Sequence, residues 1–123
     1  MNEAKATLKN YRQSPRKVRV VADTVRGKSV TEALNILTFI PKRAGLPLKK
    51  LIASAYANSG KAEGLVVKEI KVDAGTTLYR RRPRSRGMAN PIRKRTSHIS
   101  VTLDMVTNNK QPTPKATDEG GER

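Results

Sequence analysis

The most chemically distinctive stretch of this sequence is a window rich in arginine. Residues 80–95 hold eight cationic side chains in sixteen positions, and no acidic residue occurs between Asp73 and Asp104. The planar guanidinium group of arginine makes paired hydrogen bonds to phosphate and stacks on flat groups, so the window predicts binding to a polyanion. Its cations are Arg80, Arg81, Arg82, Arg84, Arg86, Arg93, Lys94 and Arg95.

Residue types that support catalysis or metal binding are scarce by comparison. The chain has no cysteine, which excludes disulfides, thiolate nucleophiles and cysteine-ligated zinc. Its single histidine, His98, has no nucleophile or carboxylate at a recognisable spacing. There is neither a glycine-rich phosphate loop nor an acidic cluster for magnesium. We therefore expect no enzymatic activity, no metal and no cofactor.

The charge of the whole chain agrees with polyanion binding. The 123 residues include 26 Lys and Arg against 10 Asp and Glu, for a net charge of +16 at pH 7. Self-repulsion of that size works against compaction unless a polyanion neutralises it. The length predicts one domain, which we place at residues 1–106. Residues 107–123 are rich in Pro, Gly, Thr and Asn, and we expect a disordered tail there.

Membrane and secretory signals are missing from the sequence. No apolar run approaches the roughly 20 residues of a membrane span, and the N-terminal residues lack the apolar core of a secretory signal. The basic segments also lack bulky apolar residues on an opposite face, which a membrane-surface helix needs. We expect a cytoplasmic protein with no membrane partner.

Serine residues mark the starts of two predicted helices. Ser14 followed by Pro15 is typical of an N-cap and a first helical position, and Gly27 is placed to end that helix. Ser29 begins a second helix, in which Glu32 completes a capping box. The buried faces, spaced three or four residues apart, are predicted to be Val18, Val21, Ala22 and Val25 in the first helix and Val30, Ala33, Leu34 and Leu37 in the second.

A third helix is predicted between Pro41 and about Gly60. Pro47 conflicts with a continuous helix, because proline removes a hydrogen bond and clashes with the preceding turn. Either a kink at Pro47 or a start near Leu46 resolves the conflict. The predicted inner face is Leu48, Leu51, Ile52, Ala55 and Ser59.

Alternating residues predict strands at 4–11 and 65–74 and again from residue 98. In the second strand, alternation predicts two faces, with Val66, Ile70, Val72 and Ala74 on one and Val67, Glu69, Lys71 and Asp73 on the other. The last two strands are predicted to pair through a long hairpin arm, at about residues 76–100, with Gly87 close to its turn. Pro91 leaves the register of the arm open, because proline donates no ladder hydrogen bond.

The kind of polyanion is indicated by the shape of the arm. The aromatic residues are few, and we expect Phe39 to belong to the core, so a stacking surface for single strands is not prominent. An arginine-rich hairpin suits an irregular RNA cleft that is recognised through shape and backbone. A free-standing nucleic-acid chaperone or DNA-compacting protein remains the alternative.

Several short motifs resemble one known family. They are Ser14–Asp23, Val25–Lys28, Glu32–Leu34, Ser54–Asn58, Pro83–Gly87 and Ile92–Ile99. In this order they resemble the bacterial type of the large-subunit ribosomal protein twenty-two family, over roughly residues 4–104. The resemblance implies an α+β fold, in which three helices pack on a small antiparallel sheet with a long projecting β-hairpin.

The same resemblance implies a function and a set of partners. A member of this family is a structural constituent of the large ribosomal subunit that binds and organises large-subunit rRNA. The hairpin tip would line the polypeptide exit tunnel. The implied partners are large-subunit rRNA, neighbouring large-subunit ribosomal proteins and the nascent polypeptide at the tunnel wall, and no homo-oligomer is expected.

The predicted RNA contacts lie at the start of the first helix and along the arm. For Ser14, helix capping is the simpler explanation, and Lys42, Arg43, Lys49 and Lys50 are weaker candidates because helix-surface cations are often only solvated. The predicted RNA-binding residues are Arg12, Ser14, Arg16, Lys17, Arg19, Arg80, Arg81, Arg82, Arg84, Arg86, Arg93, Lys94, Arg95, Ser97 and His98. By the motif match, the tunnel-lining tip is Arg82, Pro83, Arg84, Ser85, Arg86, Gly87, Met88 and Ala89.

Overall fold

Three helices form where the sequence predicts them. The computed structural model describes residues 3–105, so the predicted tail at 107–123 lies outside the described residues. The helices are α1 (Pro15–Val25), α2 (Val30–Phe39) and α3 (Gly45–Asn58).

The predicted serine caps are both present. The Ser14 hydroxyl accepts a hydrogen bond from the Lys17 N–H at 3.4 Å, and the Ser29 hydroxyl accepts one from the Glu32 N–H at 3.2 Å. Pro47 lies in the first turn of α3, where a helix has no intrahelical partner for its N–H groups. The helix therefore starts close to Leu46 and accommodates the proline, as the second of the two alternatives predicted.

Strands complete the predicted α+β fold. The main sheet is antiparallel with the order β1-β5-β2, where β1 is Ala4–Tyr11, β2 is Leu65–Ala74 and β5 is Ser97–Met105. A separate two-stranded ribbon pairs β3 (Leu78–Pro83) with β4 (Ala89–Lys94). The ribbon lies inside the predicted arm, whereas residues 97–100 pair within the main sheet.

The core lies between the helices and one face of the main sheet. Strand β5 is central, so alternate residues from Ile99 to Leu103 are buried against the helices. The largest fully buried side chains on the helices include Leu48 and Ile52 of α3 and Val18 of α1. All of the predicted inner residues of α1 are buried, and in α2 only Leu34 is half-buried.

Two predictions about apolar residues are wrong. Val67 is fully buried and Val66 only partly, because a register shift between Val67 and Glu69 changes which residues face the core before Ile70. Phe39 is 83% exposed instead of buried. It follows the buried Leu37 by two positions, about 200° around the helix, and therefore faces away from the core.

The arm projects without a core of its own. Every residue of β3 is exposed, as is every residue of β4 except the half-buried Ile92. The turn is closed by the Met88 N–H, which donates to the Ser85 carbonyl, and Gly87 has a positive φ of 70°. Pro91 lies opposite Arg81 in an uninterrupted register. Each strand of a two-stranded ribbon has an open edge, where a missing N–H removes no ladder bond.

Candidate nucleic-acid interface

A concave surface lies between the start of α1 and the arm, and we call it the cationic cleft. It has a volume of about 1630 Å³, most of its lining residues are Arg or Lys, and none is acidic. It brings together most of the predicted RNA contacts from two distant parts of the sequence. The lining residues are Arg12, Gln13, Ser14, Pro15, Arg16, Lys17, Arg19, Arg43, Ala74, Arg80, Arg81, Arg82, Pro83, Ile92, Arg93, Lys94 and Arg95.

One wall of the cleft is the N-terminal end of α1. The partial positive charge of a helix N-terminus and its unpaired N–H groups favour an anion. Exposed Arg16 and Lys17 add full charges in the first turn, which contains no acidic residue. The Ser14 cap orients this end, so Ser14 has the structural role that its position predicted.

Arg19 and Arg26 hold α1 against the outer edge of β2. The Arg19 guanidinium donates to the Val72 carbonyl from Nε at 3.2 Å and from Nη2 at 2.8 Å. Arg26 donates to the Ile70 carbonyl at 2.9 Å and pairs with Asp23. Arg19 therefore lines the cleft, but its Nε and Nη2 groups already donate hydrogen bonds to the sheet.

Both walls of the cleft are joined to Thr96 and Ser97, where the chain enters β5. On the arm side, the Gly75 N–H donates to the Thr96 carbonyl at 2.9 Å, and the Thr96 hydroxyl donates to the Thr76 carbonyl at 2.6 Å. On the α1 side, the Ser97 hydroxyl donates to the Gln13 carbonyl at 2.6 Å. We call Gly75, Thr96, Ser97 and His98 the polar joint.

His98 completes the polar joint and is less buried than Ser97. Its Nδ1 accepts a hydrogen bond from the Asn10 N–H at 3.1 Å, while the ring stays half-buried. Ser97 was predicted to contact RNA, but it is fully buried and its hydroxyl is committed to Gln13. The Ser97 hydroxyl therefore holds the segment at Gln13 in place.

Gly75 is a sterically constrained position that the sequence did not indicate. A Cβ atom there would lie 2.5 Å from the Thr96 Oγ1 and 3.1 Å from the His98 ring atoms Cε1 and Nε2. No side chain fits without displacing the joint. The glycine directly before the arm was the one sequence feature that could have pointed to this constraint. The neighbouring sequence did not show that Thr96 and His98 pack against it.

The predicted tip of the arm lies beyond the cleft. Arg82 and Pro83 line the cleft, whereas the six residues from Arg84 to Ala89 do not. All eight predicted tip residues are exposed, including Met88 at 64%. Of the weaker cationic candidates, the structure brings Arg43 into the cleft lining but not Lys42, Lys49 or Lys50.

The charges of the cleft are uncompensated. Within residues 3–105, the five ion pairs involve cations outside the cleft, and none of the cleft cations has an acidic partner. The acidic groups pair elsewhere, as Glu3 and Asp104 do with Lys68. A hydrogen bond from Lys68 and its charge lower the pKa of Glu3 below 4.5, and the same contact raises the pKa of Lys68 above 10.5.

The described part of the chain has neither a cluster of metal-ligating side chains nor a membrane-spanning helix. Residues 3–105 contain no group of three or more acidic or histidine side chains that could hold a metal ion. No helix among these residues is long and apolar enough to cross a membrane.

The sequence matches a known protein family. The sequence profile described as ribosomal protein L22p/L17e matches residues 6–104. A protein of Herpetosiphon aurantiacus named large ribosomal subunit protein uL22 is 52% identical over 107 residues, which cover 83% of this chain and 95% of that protein. Proteins of the same name from Desulfitobacterium hafniense and Deinococcus radiodurans are 51% and 52% identical, with 84% and 80% of this chain and 95% and 77% of theirs covered.

Proposed function

Because the chain belongs to the ribosomal protein L22p/L17e family and is a structural constituent of the large ribosomal subunit, we propose that the cationic cleft and the arm bind large-subunit rRNA. The observation that carries the proposal is the uncompensated charge of the cleft, which two parts of the chain supply from opposite walls. The free-standing chaperone or DNA-compacting protein is not favoured, because relatives that match most of the chain share one ribosomal name.

The proposed binding is mainly electrostatic. Lys and Arg side chains that contact phosphates release counterions, which gives an affinity that falls steeply with salt. The helix end of α1 holds one RNA backbone segment through Arg16 and Lys17, and the arm holds another through its arginines. The polar joint fixes the distance between the two walls before RNA arrives, so less conformational entropy is lost on binding.

The tip extends this proposal beyond the cleft. We propose that residues 82–89 line the polypeptide exit tunnel, where they meet the nascent polypeptide and rRNA, while the globular part contacts neighbouring ribosomal proteins. The full exposure of the tip and its arginines, Arg84 and Arg86, support this placement. So does the motif match over residues 83–87.

Competition between parent and variant for assembly tests the proposal. Replacing Arg84 and Arg86 by alanine is expected to reduce incorporation into the large subunit when both proteins are expressed together, and the globular domain should stay folded. The matched control is Lys71→Ala, which removes an exposed cation that pairs with Glu69 and lies outside the cleft. Equal incorporation of the double variant and the parent would contradict the assigned role of the tip.

A second measurement tests the cleft itself. Replacing Arg16 by alanine is expected to lower the slope of log affinity against log salt by about 1 for a large-subunit rRNA transcript. A slope unchanged from that of the parent would show that Arg16 contacts no phosphate.

A further inference from the structure

We propose that Tyr79 on the arm is a stacking surface for an unpaired base of the bound RNA. The inference rests on the proposed function and adds a kind of contact that the cationic cleft alone does not supply. Tyr79 is 64% exposed on a ribbon with no apolar core. Within residues 3–105, its side chain makes no hydrogen bond or ring contact. A ring that makes no such contact with the described part of the chain is therefore available to a ligand.

The register of the ribbon places two arginines on the same face as Tyr79. Tyr79 lies directly opposite Arg93, and the next pair on the same face of the ribbon is Arg81 with Pro91. Arg81 and Arg93 also line the cationic cleft, so Tyr79 borders that surface. A base stacked on the ring would leave its flanking phosphates within reach of arginine side chains on both strands.

These surroundings favour a nucleobase over an apolar protein partner. Every base presents a flat π-face, and stacking on an aromatic side chain tolerates any base sequence. An apolar pocket of a protein partner around Tyr79 would also cover the neighbouring arginines, which have no acidic residue near them in the sequence. Removing those charges from water without a compensating anion costs free energy. RNA supplies both a flat group and the negative charge.

The base must be unpaired for this contact to form. In a continuous duplex both faces of a base are covered by its stacked neighbours, whereas loops and bulges offer bases that can be splayed out. The arm is therefore expected to recognise an irregular part of the RNA through Tyr79, in addition to its phosphate backbone.

Binding of the full-length protein to a large-subunit rRNA transcript tests the inference. Tyr79→Leu keeps an apolar side chain but removes the ring, and it is expected to weaken binding by about 5- to 150-fold. Tyr79→Phe should keep parental affinity, and neither variant should change the salt slope because no charge is removed. Phe39→Leu, which removes another exposed ring at the end of α2, is the matched control.

Ultraviolet cross-linking of the parental complex gives an independent readout. The peptide that contains Tyr79 is expected to cross-link to a nucleotide that chemical probing finds unpaired in the free transcript. Parental affinity of Tyr79→Leu would overturn the inference and would indicate a protein partner or solvent for the ring. Failure of the parental protein itself to bind the transcript would instead contradict the proposed function, so the two failures are distinguishable.

Discussion

Polar side chains in this protein divide into those that hold the structure and those that are available to a ligand. Ser97 is fully buried and its hydroxyl donates to the Gln13 carbonyl. The side chains of Arg16 and Lys17, which follow shortly after Gln13, are exposed and make no hydrogen bond or ion pair within residues 3–105. The first group positions the second. Because buried hydrogen bonds already hold the cationic segment in place, that segment loses less conformational freedom when RNA binds.

Replacing Ser97 by alanine tests the positional role of this hydroxyl. The change leaves the Gln13 carbonyl without its donor in a partly buried site, so the free energy of unfolding is expected to fall by about 1 kcal/mol. Denaturant unfolding measures this loss. Ser100→Ala is the control, because Ser100 is half-buried on the opposite face of β5 and is expected to change stability by less than about 0.5 kcal/mol. Equal effects of the two substitutions would contradict the assigned role.

The structural roles of some residues were predictable because their partners are close in the sequence, whereas those of others were not. The caps at Ser14 and Ser29 depend on atoms three residues away, so their sequence patterns were sufficient. The burial of Ser97 and the crowding at Gly75 depend on partners 84 and about 20 positions away. Phe39 was misplaced because its residue type favoured burial, while the helical position decided the outcome.

The secondary structure elements were largely predictable because each carries its own periodic pattern. The three helices, the strand at 65–74 and the turn around Gly87 all lie where local spacing indicated. The β2 bulge was not predictable from alternation, since a shift between Val67 and Glu69 arises from pairing with β5. The hydrogen bonds of Arg19 and Arg26 to the β2 carbonyls were not predictable either, because their partners are 53 and 44 positions away.

The polar joint between the main sheet and the arm is predicted to have no room for a side chain at Gly75. Gly75→Ala would place a methyl group 2.5 Å from the Thr96 hydroxyl, which the Thr76 carbonyl holds in place. We expect a loss of thermal stability and weaker rRNA binding, since the arm must shift relative to α1.

A double-mutant cycle separates this clash from a general effect of alanine. Thr96→Ala removes the hydroxyl that the new methyl group meets, so the pair of substitutions is expected to cost about 0.5–3 kcal/mol less than the sum of the single changes. Thermal or denaturant unfolding of all four proteins provides the measurement. Strict additivity would mean that the two residues are not coupled as the geometry indicates.

The arm is predicted to be dispensable for folding and required for binding. None of its ribbon residues belongs to the hydrophobic core. Replacing residues 79–93 by Asn-Gly would join Leu78 to Lys94, a pair already opposite in the ribbon, through a two-residue turn. We expect the free energy of unfolding to change by less than about 1 kcal/mol.

The effect of the same replacement on RNA binding should be large. The slope of log affinity against log salt is expected to fall by about 0.7–0.9 for each removed cation that contacts a phosphate. Titration of the rRNA transcript at several salt concentrations measures the slope. Loss of the folded state on removing the arm would contradict the division between core and arm.

The molecule as a whole is built around a charge that its own fold does not neutralise. The small core packs three helices on one sheet face, while the cations collect in the cleft and on the arm with no acidic partners within residues 3–105. Composition predicted the polyanion, and topology then determined which cations share one surface. The family assignment identifies that polyanion as ribosomal RNA in the proposed function.

This arrangement predicts opposite effects of salt on the free protein and on its complex. The net charge of +16 repels itself in the free protein, so added salt screens that repulsion and should raise the melting temperature. In the complex, salt competes with counterion release, and six to ten phosphate contacts would lose about 10³- to 10⁵-fold in affinity between about 50 and 200 mM salt. Thermal melting of the free protein and titration of the transcript over the same salt series measure both effects. A melting temperature that falls with salt would show that attraction outweighs repulsion in the free fold, and a salt-independent affinity would show that the cleft charges do not contact phosphate.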